Sequence, residues 1–199
     1  MSKKNLFLLT IGIFFGSALA GYTLQRFFPY TFHGLVLQEP KAAPEFLLTD
    51  HNGQLAKLSR FQGKIVILFF GYTNCPDVCP TTLSTLAKAL SRLGKKASDV
   101  QVLFVSVDPT RDTQEQLAAY VTQFDPDFLG LTGNPGAIAQ TAADYGIYYE
   151  VQPGESEDVY WIDHTSTIMV IDPRGRLRLV LPFGVSAEDV AADLQRLLK

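Results

Sequence analysis

Hydrophobic positions along this chain switch between two periods. Ile65-Val66-Ile67-Leu68-Phe69-Phe70 is an unbroken apolar run of strand length, as expected of a central strand, Ile65 to Gly71, covered on both faces. From Leu83 the period becomes helical: Leu83, Leu86, Ala87, Leu90 and Leu93 recur at three- and four-residue intervals, and Gly94 supplies a stop. This predicts a helix that starts near Pro80. The alternation then repeats. Val100 to Val107 predicts a second buried strand ending at Asp108-Pro109. Thr113 to Phe124 predicts a helix with Leu117, Tyr120, Val121 and Phe124 on its apolar stripe, and Asp112 and Glu115 are spaced as its capping box.

Shorter elements flank this core. Phe46 to Thr49 and Leu55 to Leu58 enclose Asp50-His51-Asn52-Gly53, which predicts a hairpin. Asn134 as cap, Pro135 in the first turn and Gly146 at the end punctuate another helix. Ile147 to Val151 pairs with Val159 to Ile162 around a polar loop, and Thr167 to Ile171 with Leu177 to Leu181 across Asp172-Pro173-Arg174-Gly175. Ser186 caps a terminal helix carrying Val190, Leu194 and Leu197. Strand-helix-strand-helix followed by hairpin-helix is the thioredoxin-like order. The expected fold is therefore α/β, a central mixed sheet flanked by helices.

The first 28 residues break the pattern. Lys3 and Lys4 precede an uncharged apolar run from Leu6 to Leu24, near the length a helix needs to cross a bilayer. An aromatic and basic belt, Tyr22 to Phe28, follows. Residues 1–28 read as an uncleaved transmembrane anchor. The alternative is a cleaved signal peptide, with Leu6 to Gly16 as its apolar region and Ala18-Leu19-Ala20 as its cleavage pattern. Either way the positive-inside rule keeps the lysines in the cytoplasm and sends the remainder across the membrane, to the periplasmic side in a bacterium. Residues 29–44, aperiodic and bounded by prolines, read as a linker, and 45–199 as the folded domain.

With 47% hydrophobic residues the domain has ample core, so its two cysteines are not needed as staples. Setting aside Lys3, Lys4 and Arg26, 14 basic residues face 20 acidic ones. An acidic domain without basic clusters excludes nucleic acid as an expected partner.

Those two cysteines carry the chemistry. Cys75 and Cys79 sit in Cys75-Pro76-Asp77-Val78-Cys79-Pro80, where the first central strand gives way to its helix. A helix N-terminus stabilises thiolate over thiol. Three intervening residues leave two readings open: a redox pair that closes on itself, or a clamp for copper(I) or zinc. Of the three histidines, His33 lies in the linker and His51 in a hairpin turn. His164, in Asp163-His164-Thr165, stands just before the strand Thr167 to Ile171, where a thioredoxin-like fold normally carries a cis-proline facing the thiols. A histidine there, and no proline, makes it the candidate third ligand. Asp77 and Asp108 read as turn formers that could also tune the site, and Met169 reads as core. Asp163 points away from its neighbour in an extended segment. Tyr145, Tyr148, Tyr149, Tyr160 and Trp161 read as packing or a docking face.

Three blocks resemble those of the SCO/SenC copper chaperones: Thr73 to Pro80, Val107-Asp108-Pro109-Thr110-Arg111-Asp112-Thr113, and Asp163-His164-Thr165. The resemblance runs from about Pro44 to the C-terminus. It implies a thioredoxin-like domain holding a copper ion through Cys75, Cys79 and His164. It also implies service to the dinuclear copper centre of cytochrome c oxidase, with the copper-receiving subunit as partner and a thiol reductant or another copper chaperone upstream. The competing expectation is an enzyme, a thiol-disulfide reductase using Cys75 and Cys79 to keep the acceptor's cysteines reduced. A thiol peroxidase is a third, with no recognisable peroxide-binding set to support it.

Overall fold

The computed structural model describes residues 30–156 and 159–199, together with Ile13, Gly16 and Ser17. Among the described residues no helix is long and apolar enough to cross a membrane. The expected anchor, residues 1–28, lies outside them apart from those three positions.

From His33 onward the strands are β1 (Leu35–Val36), β2 (Leu47–Asp50), β3 (Leu55–Lys57), β4 (Ile65–Gly71), β5 (Val100–Ser106), β6 (Leu129–Thr132), β7 (Tyr149–Ser156), β8 (Val159–His164), β9 (Ile168–Ile171) and β10 (Leu177–Leu181). The helices are α1 (Val78–Leu93), α2 (Gln114–Val121), α3 (Pro135–Asp144) and α4 (Ala187–Leu197). Eight strands form one mixed sheet in the order β1-β10-β9-β4-β5-β6-β2-β3, and β7 and β8 form a separate two-stranded sheet. β4, β5 and β6 run parallel, joined by crossovers through α1 and α2, while β9 lies antiparallel to β4 on its other side. This is the mixed sheet with flanking helices that the order of elements predicts.

β4 has the bounds read from its apolar run, and all seven of its residues are buried. Alternation splits them between two layers. Val66, Leu68 and Phe70 join Leu103, Val105, Ile138, Tyr145 and Met169 on one side. Phe69 packs on Phe104 on the other. Burial of each phenylalanine contributes about 1.5–3 kcal/mol, so β4 is a rigid rail for whatever leaves its end.

Three local readings need correction. The helix after β4 begins at Val78 rather than near Pro80, which makes Cys79 its second residue. The capping box of α2 is Thr113 with Gln116, not Asp112 with Glu115. Asp112 is instead wholly buried and turned to other partners. β6 has no counterpart in the sequence reading. It is four residues long with Gly130 inside it, and a side chain at Gly130 would press on Leu117 of α2, its β-carbon 2.9 Å from that of Leu117. Within the segment read as a linker, Leu35–Val36 pairs with β10, and Ala42 bridges to Arg176.

Candidate metal centre

The end of β4, the start of α1 and the end of β8 meet at one point. Cys75 lies in the turn between β4 and α1, its N–H donating to the Tyr72 carbonyl at 3.2 Å. Cys79 follows in the first turn of α1, and its backbone N–H points at the Cys75 sulfur, 3.4 Å away. Gly71 makes this packing possible. A β-carbon there would lie 2.6 Å from the Cys79 sulfur and 2.8 Å from the Phe104 ring.

His164 comes from β8, whose last pair is His164 with Tyr149. Its ring packs edge-on against Tyr72 and Phe69, with centroids at 6.0 and 6.3 Å. Nδ1 sits 3.1 Å from the Thr165 carbonyl. A carbonyl only accepts, so Nδ1 carries a proton there and Nε2 is the ring nitrogen turned toward the sulfurs. Nε2 lies 3.5 Å from the Cys79 sulfur. The two sulfurs and an imidazole nitrogen all fall within 4.8 Å of one another, a set that could hold a metal ion. Among the described residues it is the one such cluster of histidine, cysteine or acidic side chains.

The two thiols are unequal. Cys75 is half-buried and Cys79 fully buried. Hydrogen bonding from Cys79 pulls the Cys75 thiol down to about 4; burial opposes this, and hydrogen bonds from His164 and the backbone N–H groups of Cys79 and Asp77 add to it. The Cys79 thiol is pushed up by that same bond to Cys75 and by burial. Both favour a thiolate on Cys75 that Cys79 stabilises. Tyr72, Cys75, Pro76, Val78, Trp161 and His164 line a cavity of about 280 Å³ that opens the site to solvent.

The three side chains chosen from the sequence converge in the structure, and the other two histidines lie elsewhere. His33 Nδ1 is 2.9 Å from Asp193, with Nε2 3.2 Å from Asp189, and His51 Nδ1 accepts from the Gly130 N–H at 3.1 Å. Asp163 is exposed and Met169 buried in the core, as expected. Asp77 is exposed and accepts from the Thr81 hydroxyl. The aromatic group divides: Tyr145 is buried, while Tyr148 and Trp161 are exposed.

Reading Asp108 mainly as a turn former understated its part. It is 3% exposed, pairs with Arg111 Nε at 2.5 Å and accepts from the Tyr160 hydroxyl at 2.8 Å. Arg111 lies 3.4 Å above the Tyr160 ring. Asp112 accepts from the Thr73 N–H at 3.0 Å and from the Thr73 and Ser106 hydroxyls at 2.6 Å each. Of these partners Thr73, Asp108, Arg111 and Asp112 lie inside the resembling blocks, whereas Ser106 and Tyr160 lie outside them.

A sequence profile of the SCO1/SenC family matches residues 36–199. The mitochondrial SCO2 homolog of Bos taurus is 37% identical over 154 residues, covering 76% of this chain and 58% of that protein. The chain thus spans under two thirds of the length of that relative. Two solved structures share the fold and much of the sequence. ScoI of Bradyrhizobium japonicum with copper bound aligns with a TM-score of 0.73 and 39% identity over 78% of this chain and 99% of that one. Apo Sco1 of Thermus thermophilus aligns with a TM-score of 0.77 and 43% identity over 84% and 98%. With its thioredoxin-like sheet and a profile match over most of its length, the chain belongs to the SCO1/SenC family.

Proposed function

We propose that this protein is a membrane-tethered copper chaperone. Its domain, residues 45–199, holds copper through Cys75, Cys79 and His164 outside the cytoplasm. Residues 1–28 anchor it, with 29–44 as the tether, and the acceptor is the dinuclear copper centre of cytochrome c oxidase. One observation carries the reading: two sulfurs and one imidazole nitrogen, drawn from segments 85 residues apart, converge within 4.8 Å. Two soft thiolates and a neutral imidazole suit copper(I), and three ligands leave an open position through which an acceptor's cysteine can exchange. The copper-bound Bradyrhizobium relative supports the choice of metal. Oxidising the pair to a disulfide removes the thiolate donors, so cargo binding follows the redox state of Cys75 and Cys79.

A second reading has its own observation. A half-exposed Cys75 with a lowered thiol beside a buried Cys79 with a raised one is also the division of labour between an attacking and a resolving thiol. A reductase would keep the acceptor's cysteines reduced. Among the described residues there is no cis-proline beside the pair, and His164 has no necessary role in that chemistry. Titrating the reduced full chain with copper(I) against a competing chelator separates the two. Stoichiometric binding that weakens in His164→Ala supports the chaperone. Negligible binding alongside rapid disulfide reduction indifferent to His164 supports the reductase.

A further inference from the structure

Three residues of the turn after β5, Asp108, Arg111 and Asp112, reach both halves of the candidate metal centre without touching its donor atoms. On one side the Asp112 carboxylate receives the Thr73 N–H at 3.0 Å, the Thr73 hydroxyl at 2.6 Å and the Ser106 hydroxyl at 2.6 Å. Thr73 lies two residues before Cys75, in the turn that carries it. Asp112 has no exposed surface and, among the described residues, no cation pairs with it. Its hydrogen bonds are what compensate for placing a carboxylate there, so the bonds to Thr73 are expensive to break.

On the other side Arg111 holds β8. Its Nη1 donates to the Tyr160 carbonyl at 3.0 Å, its guanidinium stacks 3.4 Å from the Tyr160 ring, and its Nε pairs with Asp108 at 2.5 Å. Asp108 in turn receives the Tyr160 hydroxyl at 2.8 Å. Tyr160 sits four residues before His164 on the same strand. Tyr72, next to Thr73, accepts the Ile162 N–H at 3.2 Å, midway between. β7 and β8 form a sheet of their own, so no ladder to the main sheet fixes where β8 lies.

We infer that the Asp108–Asp112 turn is a positioning bracket, in which Asp112 fixes the Cys75 turn and Arg111 fixes the His164 strand, so that the three donors converge only while both clamps hold. This inference rests on the proposed metal-binding reading of the site. Partners that orient metal ligands commonly matter by about 10- to 100-fold in affinity, and such a loss is expected from breaking either clamp.

The test is a pair of double-mutant cycles on the reduced full chain, using copper(I) with a competing chelator. Arg111→Met weakens binding in the native background and adds nothing in His164→Ala, because its effect runs through the imidazole. Thr73→Val, which removes one bond to Asp112, weakens binding equally in both backgrounds. Arg111→Lys, which keeps the cation but cannot bridge Asp108 and the Tyr160 carbonyl together, replaces Arg111→Met where the latter does not fold. Unchanged affinity, or an Arg111 effect that persists undiminished without His164, overturns the bracket.

A metal-free readout separates this from the proposed function. In the reduced chain without copper, the His164 ring resonances move in the Arg111 variant and stay in Thr73→Val. The Cys75 alkylation rate does the reverse. Both probes responding alike to both variants overturns the bracket. Failure of the unaltered chain to bind copper overturns the chaperone reading and leaves this division as the deciding result.

Discussion

Gly71 and Cys79 are in direct contact: a β-carbon on Gly71 would lie 2.6 Å from the Cys79 sulfur and 2.8 Å from the Phe104 ring. The buried thiol therefore sits where it does because the last residue of β4 has no side chain. Gly71→Ala should displace the sulfur from its place beside His164 Nε2 and cost about 1–3 kcal/mol as an overpacked core. Chemical denaturation measures the stability. A folded Gly71→Ala with undiminished copper affinity would show that the sulfur's placement is unimportant.

The thiols should react in sequence. With its thiol pulled down to about 4 by hydrogen bonding from Cys79, Cys75 is a thiolate throughout the neutral range, while the Cys79 thiol is pushed up and buried. Iodoacetamide should label the reduced chain once, on Cys75, at a rate nearly flat from pH 8 down to about pH 5. Peptide mass mapping reads the site. A rate that falls tenfold per pH unit across that range contradicts the lowered thiol.

Trp161 is the single tryptophan of the chain and lines the same cavity as Cys75 and His164. Its emission should therefore change on copper loading and saturate at one equivalent per chain. Cys75→Ser should abolish the change. An emission change that survives that substitution would mean copper reaches the indole from elsewhere.

The turn between β9 and β10 gives a test of stability independent of the candidate metal centre. Burial pushes the Asp172 carboxyl up, but hydrogen bonds from the Arg176 side chain and the Arg176 and Arg174 N–H groups outweigh it and hold it below the usual carboxylate range. A depressed carboxyl contributes stability above its unfolded value and loses it as pH falls through the folded one. Asp172→Ala should cost about 1–3 kcal/mol at neutral pH, with the difference from the unaltered chain shrinking toward strongly acid pH. Denaturation at several pH values checks it, and a difference that stays constant contradicts it.

His33 gives the opposite sign. Its hydrogen bond to Asp193 raises its pKa, against some loss by burial, with the charges of Asp193 and Asp189 adding to the rise. A raised imidazole contributes stability below its unfolded value and loses it as pH climbs through the folded one. His33→Ala should therefore matter most in mildly acid solution and least above neutrality. Thermal unfolding across that range reads the difference.

The sheet's centre was legible because β4 is buried on both faces and needs an unbroken apolar run to be so; its bounds, Ile65–Gly71, follow from that run. The three converging side chains were legible as candidates because only three histidines and two cysteines exist to choose from. Asp112 was not. Asp112-x-x-Glu115 and Thr113-x-x-Gln116 match the same local capping pattern, and the choice between them is made by Thr73, 39 residues away, whose N–H and hydroxyl claim the carboxylate. β6 escaped for a similar reason. Its glycine serves a close approach to Leu117, a tertiary demand that no alternation of hydrophobic residues records.

The most direct test of the central claim is X-ray absorption on the reduced full chain loaded with one equivalent of copper(I), beside His164→Ala. The account predicts a copper shell of two sulfurs and one nitrogen, with the nitrogen lost in the variant. A shell of sulfur alone in the unaltered chain, or a nitrogen that persists without His164, would contradict it.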